Sequence, residues 1–203
     1  MSDCIALFGG TFNPIHVGHL AVARAAVDAL GLDRLILVPS ARPPHKNGGD
    51  LAGDTDRLVM CRLAAAEDPR IEVSNMELRR DGPSYTVETL RELRRLCPGA
   101  TLVFLVGADM LRELHLWYHF EEVVRLARVV TLPRPGIDLG DLPALRRTLG
   151  DETADRLLAD VLNTPLVDVS ATDIRRRVRD GLPIDDLVPP AVAAYIRDHG
   201  LYR

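Results

Sequence analysis

Apolar residues in this chain come in short, nearly continuous runs, separated by amphipathic stretches and by glycine and proline. Residues 4–8 form the first run and stop at Gly9-Gly10, the pattern of a buried strand. Over residues 19–30 the period changes: Leu20, Ala23, Val27 and Leu30 share one helical face, and Gly31 supplies a stop. Residues 34–38 predict a second strand, closed by Pro39 and followed by a Pro- and Gly-rich loop over 40–53. A helix over 56–66, a strand over 71–73 and a helix over 87–97 come next, the last with Val87, Leu90 and Leu93 inward. Residues 101–106 form the most apolar strand and end in Gly107-Ala108-Asp109. A short helix precedes Trp117-Tyr118, a helix covers 120–126, and a strand over 128–132 is stopped by Pro133. Residues 141–162 read as polar helix with unplaced breaks, and residues 166–169 as a last strand opening into Ser170 and a helix over 173–179. A helix over 190–199 closes the chain.

Strands that alternate with helices and are apolar on both faces predict a parallel sheet covered on both sides. The expectation is one α/β domain over 1–203: a Rossmann-like, doubly wound core over 3–169 and a small C-terminal helical part over 170–203. In such sheets ligands sit beyond the carboxyl ends of the strands, where strand order reverses. Three clusters fall after expected strands: residues 9–19, 107–109 and 170–175.

Composition narrows the class. Apolar residues at 47% and charged residues at 27% match an ordinary globular protein. The longest apolar stretch, over 102–108, is far short of the roughly 20 residues of a membrane span. No basic segment or cleavage site of a secretory signal opens the chain, and the three cysteines Cys4, Cys61 and Cys97 show no metal or disulfide spacing. A cytoplasmic protein with reduced thiols is expected. A net charge of −4 argues against a general nucleic-acid binder. Lys46 is the only lysine in an arginine-rich chain.

The cluster from Gly9 to His19 is neither a dinucleotide fingerprint nor a P-loop, since both spacings are absent. Adjacent glycines after a strand permit a tight turn and close approach of a ligand to the backbone. His16 and His19, three apart at a helix start, can turn both rings to one side, where N–H groups and imidazoles would meet phosphate oxygens. Gly18 between them would leave room for a bulky ligand. No acidic or cysteine partner stands near enough in sequence to make the pair a metal site.

Gly9-Gly10-Thr11-Phe12-Asn13-Pro14 followed by His16-Val17-Gly18-His19 resembles the signature of the His-x-Gly-His nucleotidyltransferase superfamily. The run from Ser170 to Arg175 resembles its second signature. Within the superfamily the chain is most similar to the bacterial nicotinate-nucleotide adenylyltransferases. Pro43-Pro44-His45-Lys46, Pro83-Ser84-Tyr85-Thr86, Gly107-Ala108-Asp109, Trp117-Tyr118, Arg134-Pro135-Gly136 and the C-terminal stretch to Tyr202 carry that likeness. It implies transfer of AMP from ATP to nicotinate mononucleotide, with release of pyrophosphate. Catalysis would rest on His16 and His19, through in-line positioning and charge stabilisation. ATP would be bound by Gly9, Gly10, Thr11, Phe12, both histidines, Lys46, Gly107, Asp109, Ser170, Thr172 and Arg175. The acceptor would meet His45, Thr86, Trp117, Tyr118 and Arg134. Mg²⁺ would be held mainly by the substrate phosphates, with no metal site made by the protein itself.

Plainer readings stand beside several of these. Ser170 also suits an ordinary helix N-cap, Trp117 a core aromatic, Tyr85 an anchor for its helix, and Arg134 a surface residue between prolines. Arg176, Arg177 and Arg179 read as a solvated face. Asn13 stands where many relatives have Asp, which excludes a carboxylate base there, and Ala171 replaces a common Ser. The alternatives are a sibling enzyme acting on the amide nucleotide or on phosphopantetheine, and a nucleotide-binding module without turnover. Membrane and nucleic-acid partners are not expected. The oligomeric state stays open, a homo-oligomer included.

Overall fold

The computed structural model describes residues 3–41, 51–134, 136–165 and 167–203. Among these, five strands, β1 (Cys4–Gly10), β2 (Arg34–Pro39), β3 (Ile71–Val73), β4 (Thr101–Gly107) and β5 (Arg128–Leu132), form one sheet in the order β3-β2-β1-β4-β5. Every pairing is parallel. The chain winds outward from β1 to β2 and β3, then crosses back to add β4 on the other side. The switch point therefore lies between β1 and β4.

Both faces of the sheet are covered because its central strands are apolar in both registers. Ala6, Phe8, Leu35, Leu37, Val103 and Leu105 point to one face, where they meet α1 (Val17–Leu30), α2 (Asp54–Ala65), α8 (Ala171–Arg179) and α9 (Pro190–Asp198). Ile5, Leu7, Ile36, Val38, Leu102 and Phe104 point to the other. There they meet α3 (Thr86–Leu96), α4 (Ala108–Arg112), α5 (Phe120–Leu126), α6 (Pro143–Leu149) and α7 (Asp151–Ala159). This is the period-2 division that parallel strands impose. Among the described residues no helix is long and apolar enough to cross a membrane.

Two boundaries matter for the site. β1 runs through Gly9 and Gly10, because its register with β2 continues to Val38 and Pro39. α1 begins at Val17, two residues before the expected start, which makes the extended residue His16 its N-cap and His19 its third residue.

One expected element is absent among the described residues. Residues 167–169 lie outside the sheet. The outer edge of β5 is met by residues 160–162 instead: Thr131 N–H donates to Asp160 O at 2.8 Å and Leu162 N–H to Thr131 O at 2.8 Å. That contact amounts to a single bridge, Thr131 with Val161. Val169 N–H turns back to Val167 O at 2.9 Å, so this stretch makes a local turn where a strand would need an open ladder. The cluster at Ser170 thus reaches the site without following a strand.

Candidate active site

The β1–α1 loop, at the switch point, is built around three rings. Phe12 is buried with φ +46°, an uncommon conformation for a bulky residue. Its ring lies edge-on to Phe8 at 5.7 Å and to His19 at 5.1 Å. A Cβ at Gly10 would sit 2.9 Å from that ring, so Gly10 makes room for Phe12 and not for a ligand. At Gly9, by contrast, a Cβ would meet nothing within 4 Å among the described residues, which leaves the space expected beside it.

His16 and His19 stack with ring centroids 3.6 Å apart and planes 27° apart. His19 Nδ1 accepts the N–H of His16 at 3.2 Å, which in the neutral ring places the proton on Nε2. His16 is 7% exposed, and its Nδ1 has no hydrogen-bond partner among the described residues. Burial, aided by the positive charge of Arg134, pushes its pKa down to about 4, so the imidazole is neutral at pH 7. A Cβ at Gly18 would lie 3.1 Å from His16 Nδ1 and 3.3 Å from Cε1. Gly18 therefore admits the His16 ring, a correction to the room for ligand expected there.

The helix N-terminus is also more occupied than its position suggests. The N–H of Val17 donates to Leu187 O at 3.0 Å and that of His19 to His16 O at 3.0 Å. Donation to an incoming anion falls mainly to the imidazoles.

Arg175 is brought to this loop from far along the chain. Its Nη1 donates to Asn13 O at 2.9 Å, and Nη2 lies 3.4 Å from Thr172 Oγ1. Its Nε is buried and has no hydrogen-bond partner among the described residues. Ser170 Oγ accepts Asp173 N–H at 3.1 Å, the plain N-cap of α8. Asp109, at the head of α4, pairs with Arg134, and their side chains are 35% and 58% exposed, open enough for either to turn to a ligand. Lys46 and His45 lie outside the described residues.

On the opposite face, Thr86 is the first residue of α3. The adjacent Tyr85 ring meets Tyr118 at 4.6 Å, so the Thr86 and Trp117-Tyr118 segments come together. Trp117 packs near Phe104 at 6.0 Å, yet its Nε1 is buried without a hydrogen-bond partner among the described residues. It is both part of the wall and an unused donor.

Sequence reasoning missed three supports of the loop. Arg57 is fully buried in α2 and donates to Thr11 O at 2.8 Å and Ala52 O at 3.2 Å, besides pairing with Asp54. Asn13 Oδ1 accepts Ala52 N–H at 3.0 Å and the Tyr202 hydroxyl at 2.8 Å. The signal for Arg57 was its spacing: it shares a stripe with Met60, Cys61 and Ala64, the apolar side of α2. For Asn13 and Tyr202, 189 residues apart, no local pattern existed.

Among the described residues no group of three or more His, Cys, Asp or Glu side chains could hold a metal ion. Around the loop the side chains offered to a ligand are imidazole and guanidinium, donors suited to anionic oxygens.

A family described as cytidylyltransferase-like matches residues 7–177. The chain is 46% identical over 199 residues to a "Probable nicotinate-nucleotide adenylyltransferase" of Thermus thermophilus, spanning 98% of this chain and 99% of that one. A protein of the same name from Neisseria meningitidis serogroup B is 42% identical over 200 residues, 98% of both chains. Among solved structures, Plasmodium falciparum nicotinic acid mononucleotide adenylyltransferase complexed with NaAD aligns at a TM-score of 0.78 and 19% identity, over 98% of this chain and 97% of that one. At that identity the likeness speaks for the fold. The chain belongs to the cytidylyltransferase-like family of nucleotidyltransferases. Its full-length kinship at 42–46% places it, within that family, among the nicotinate-nucleotide adenylyltransferases.

Proposed function

We propose that this protein transfers AMP from ATP to nicotinate mononucleotide, yielding nicotinate adenine dinucleotide and pyrophosphate, in the cytoplasmic synthesis of NAD. Kinship to full-length relatives of that name supports the reaction. The observation that carries its mechanism is the stacked pair His16–His19 at the switch point, with His16 held neutral by burial.

The acceptor phosphate is already ionised near neutral pH and needs no base. What the protein supplies is alignment and hydrogen-bond donors for the oxygens of the α-phosphate as charge shifts toward pyrophosphate. With Nδ1 of His19 taken up by the N–H of His16, Nε2 is the atom of that ring left to donate to a phosphate oxygen. Gly9, with open space beside it, lets the triphosphate approach the backbone, while Thr11, Phe12 and Gly10 hold the shape of the loop. Arg175, with Thr172, faces the outer phosphates, and Ser170 fixes the helix that carries them. The family resemblance adds Lys46 to the ATP ligands and His45 to those of the acceptor.

Gly107 and Asp109 border the nucleotide, and Arg134 exchanges Asp109 for a phosphate when substrate arrives. Donors of this kind fit a divalent cation that enters on the phosphates. When bound, Mg²⁺ would neutralise triphosphate charge. On the acceptor side, Trp117 offers its face to the pyridine ring, and Thr86 with the Trp117-Tyr118 backbone offers donors to the nicotinate carboxylate. An amide would bring its NH₂ against those donors, a mismatch that can discriminate strongly.

The test is pyrophosphate release from ATP and Mg²⁺ with nicotinate mononucleotide, its amide and phosphopantetheine side by side. A strong preference for the acid is expected. Preference for another acceptor would keep the histidine chemistry and reject the acceptor pocket; ATP binding without release for any acceptor would reject the enzyme.

A further inference from the structure

Glu77 is a buried carboxylate for which the transfer has no use. It lies in the turn after β3, at the carboxyl edge of the sheet, and is 7% exposed. Its hydrogen bonds come from hydroxyls: Thr89 Oγ1 donates at 2.7 Å, and the Ser84 side chain donates as well. The nearby cation, Arg80, is bound elsewhere, to Glu92 Oε2 at 2.7 Å and to Thr89 Oγ1 at 3.2 Å. Burial pushes the Glu77 carboxyl above the ordinary range, and the two hydroxyls and Arg80 pull it back only in part.

A buried carboxylate held by hydroxyls alone costs stability relative to an apolar side chain. What it provides is direction. An ionised carboxylate only accepts, so Ser84 and Thr89 must both turn their protons inward. Their lone pairs then face outward: Ser84 Oγ accepts Ala41 N–H at 3.0 Å, and Thr89 Oγ1 accepts Arg80. The first of these bonds ties the exit of β2 to the residue that leads into Tyr85 and Thr86. An amide at position 77 would aim its NH₂ at one hydroxyl and force it to turn round.

We propose that Glu77 is a positioning residue of the acceptor pocket, orienting the Ser84 and Thr89 hydroxyls so that the head of α3, with Thr86 and the Tyr85–Tyr118 contact, is held ready for the acceptor nucleotide. This rests on the reading of that pocket given above. The network lies on the α3 side of the sheet, whereas the histidine loop and Arg175 are held chiefly by Arg57, Asn13 and Tyr202.

Glu77→Gln and Ser84→Ala are to be assayed for pyrophosphate release with each substrate varied in turn. Binding of nicotinate mononucleotide is followed in parallel through Trp117, the only tryptophan. Loss of an oriented hydrogen bond should weaken the acceptor, in both KM and Kd, by roughly tenfold, with KM for ATP held within about twofold. Ser84→Ala removes one half-buried hydroxyl and keeps the question open to experiment if Glu77→Gln fails to fold. Equal weakening of both substrates, or unchanged acceptor affinity in folded variants of an active enzyme, overturns the inference alone. Wild-type protein that neither binds nor adenylylates nicotinate mononucleotide overturns the functional reading and this inference with it.

Discussion

His16 owes its properties to its surroundings more than to its motif. Sequence spacing put two histidines at a helix start, but not that one is buried, that the pair stacks, or that a backbone N–H fixes the tautomer of the other. Those facts depend on Phe12, Gly18 and Arg134, each of which meets the histidines only in the fold. They carry a pH signature. With a native pKa of about 4 against 6.5 in the unfolded chain, the unfolded state binds more protons between those values. The stability due to a neutral His16 is thus complete above pH 6.5 and is lost as pH falls toward 4, by about 3 kcal/mol at most. Urea unfolding of His16→Gln should show a shallower loss between pH 7 and 4.5 than the wild type. Identical slopes would mean that His16 is not the buried base.

Elements were legible where periodicity is strong. The five strands and the helices on both faces follow from continuous apolar runs and from stripes such as Val87, Leu90 and Leu93. Residues 166–169 misled because an apolar run cannot say whether a sheet edge is free to receive it. The glycines misled for a related reason: sequence shows that a Cβ is missing, not which neighbour takes the space. At Gly18 that neighbour is His16, which gives the substitution Gly18→Ala two opposed effects. Alanine favours the helix by about 1 kcal/mol over glycine, but its Cβ would crowd the imidazole at 3.1 Å. Thermal unfolding should change little while kcat falls by roughly one to two orders of magnitude, the scale of a misplaced catalytic group. An unchanged kcat would show that the ring can move without consequence.

At the scale of the molecule, the fold gathers one site from segments that sequence keeps apart. The β1–α1 loop meets Arg175 from α8 and Tyr202 from the C-terminus, and Arg57 seals it from below. Motif resemblance singled out the β1–α1 loop and Arg175, which belong to the family's two signatures. Residues that only hold the loop carry no such mark and became visible through their hydrogen bonds. Transfer on this view needs neither a covalent nucleophile nor a protein base, only donors kept in place by the whole chain. The most direct measurement is kcat at saturating ATP and nicotinate mononucleotide for His16→Ala and His19→Ala, with circular dichroism to confirm the fold. A fall of roughly 10²–10³-fold in folded protein is the expected result, the size of losing one transition-state donor. Near-normal turnover in both variants would contradict the role given to the pair.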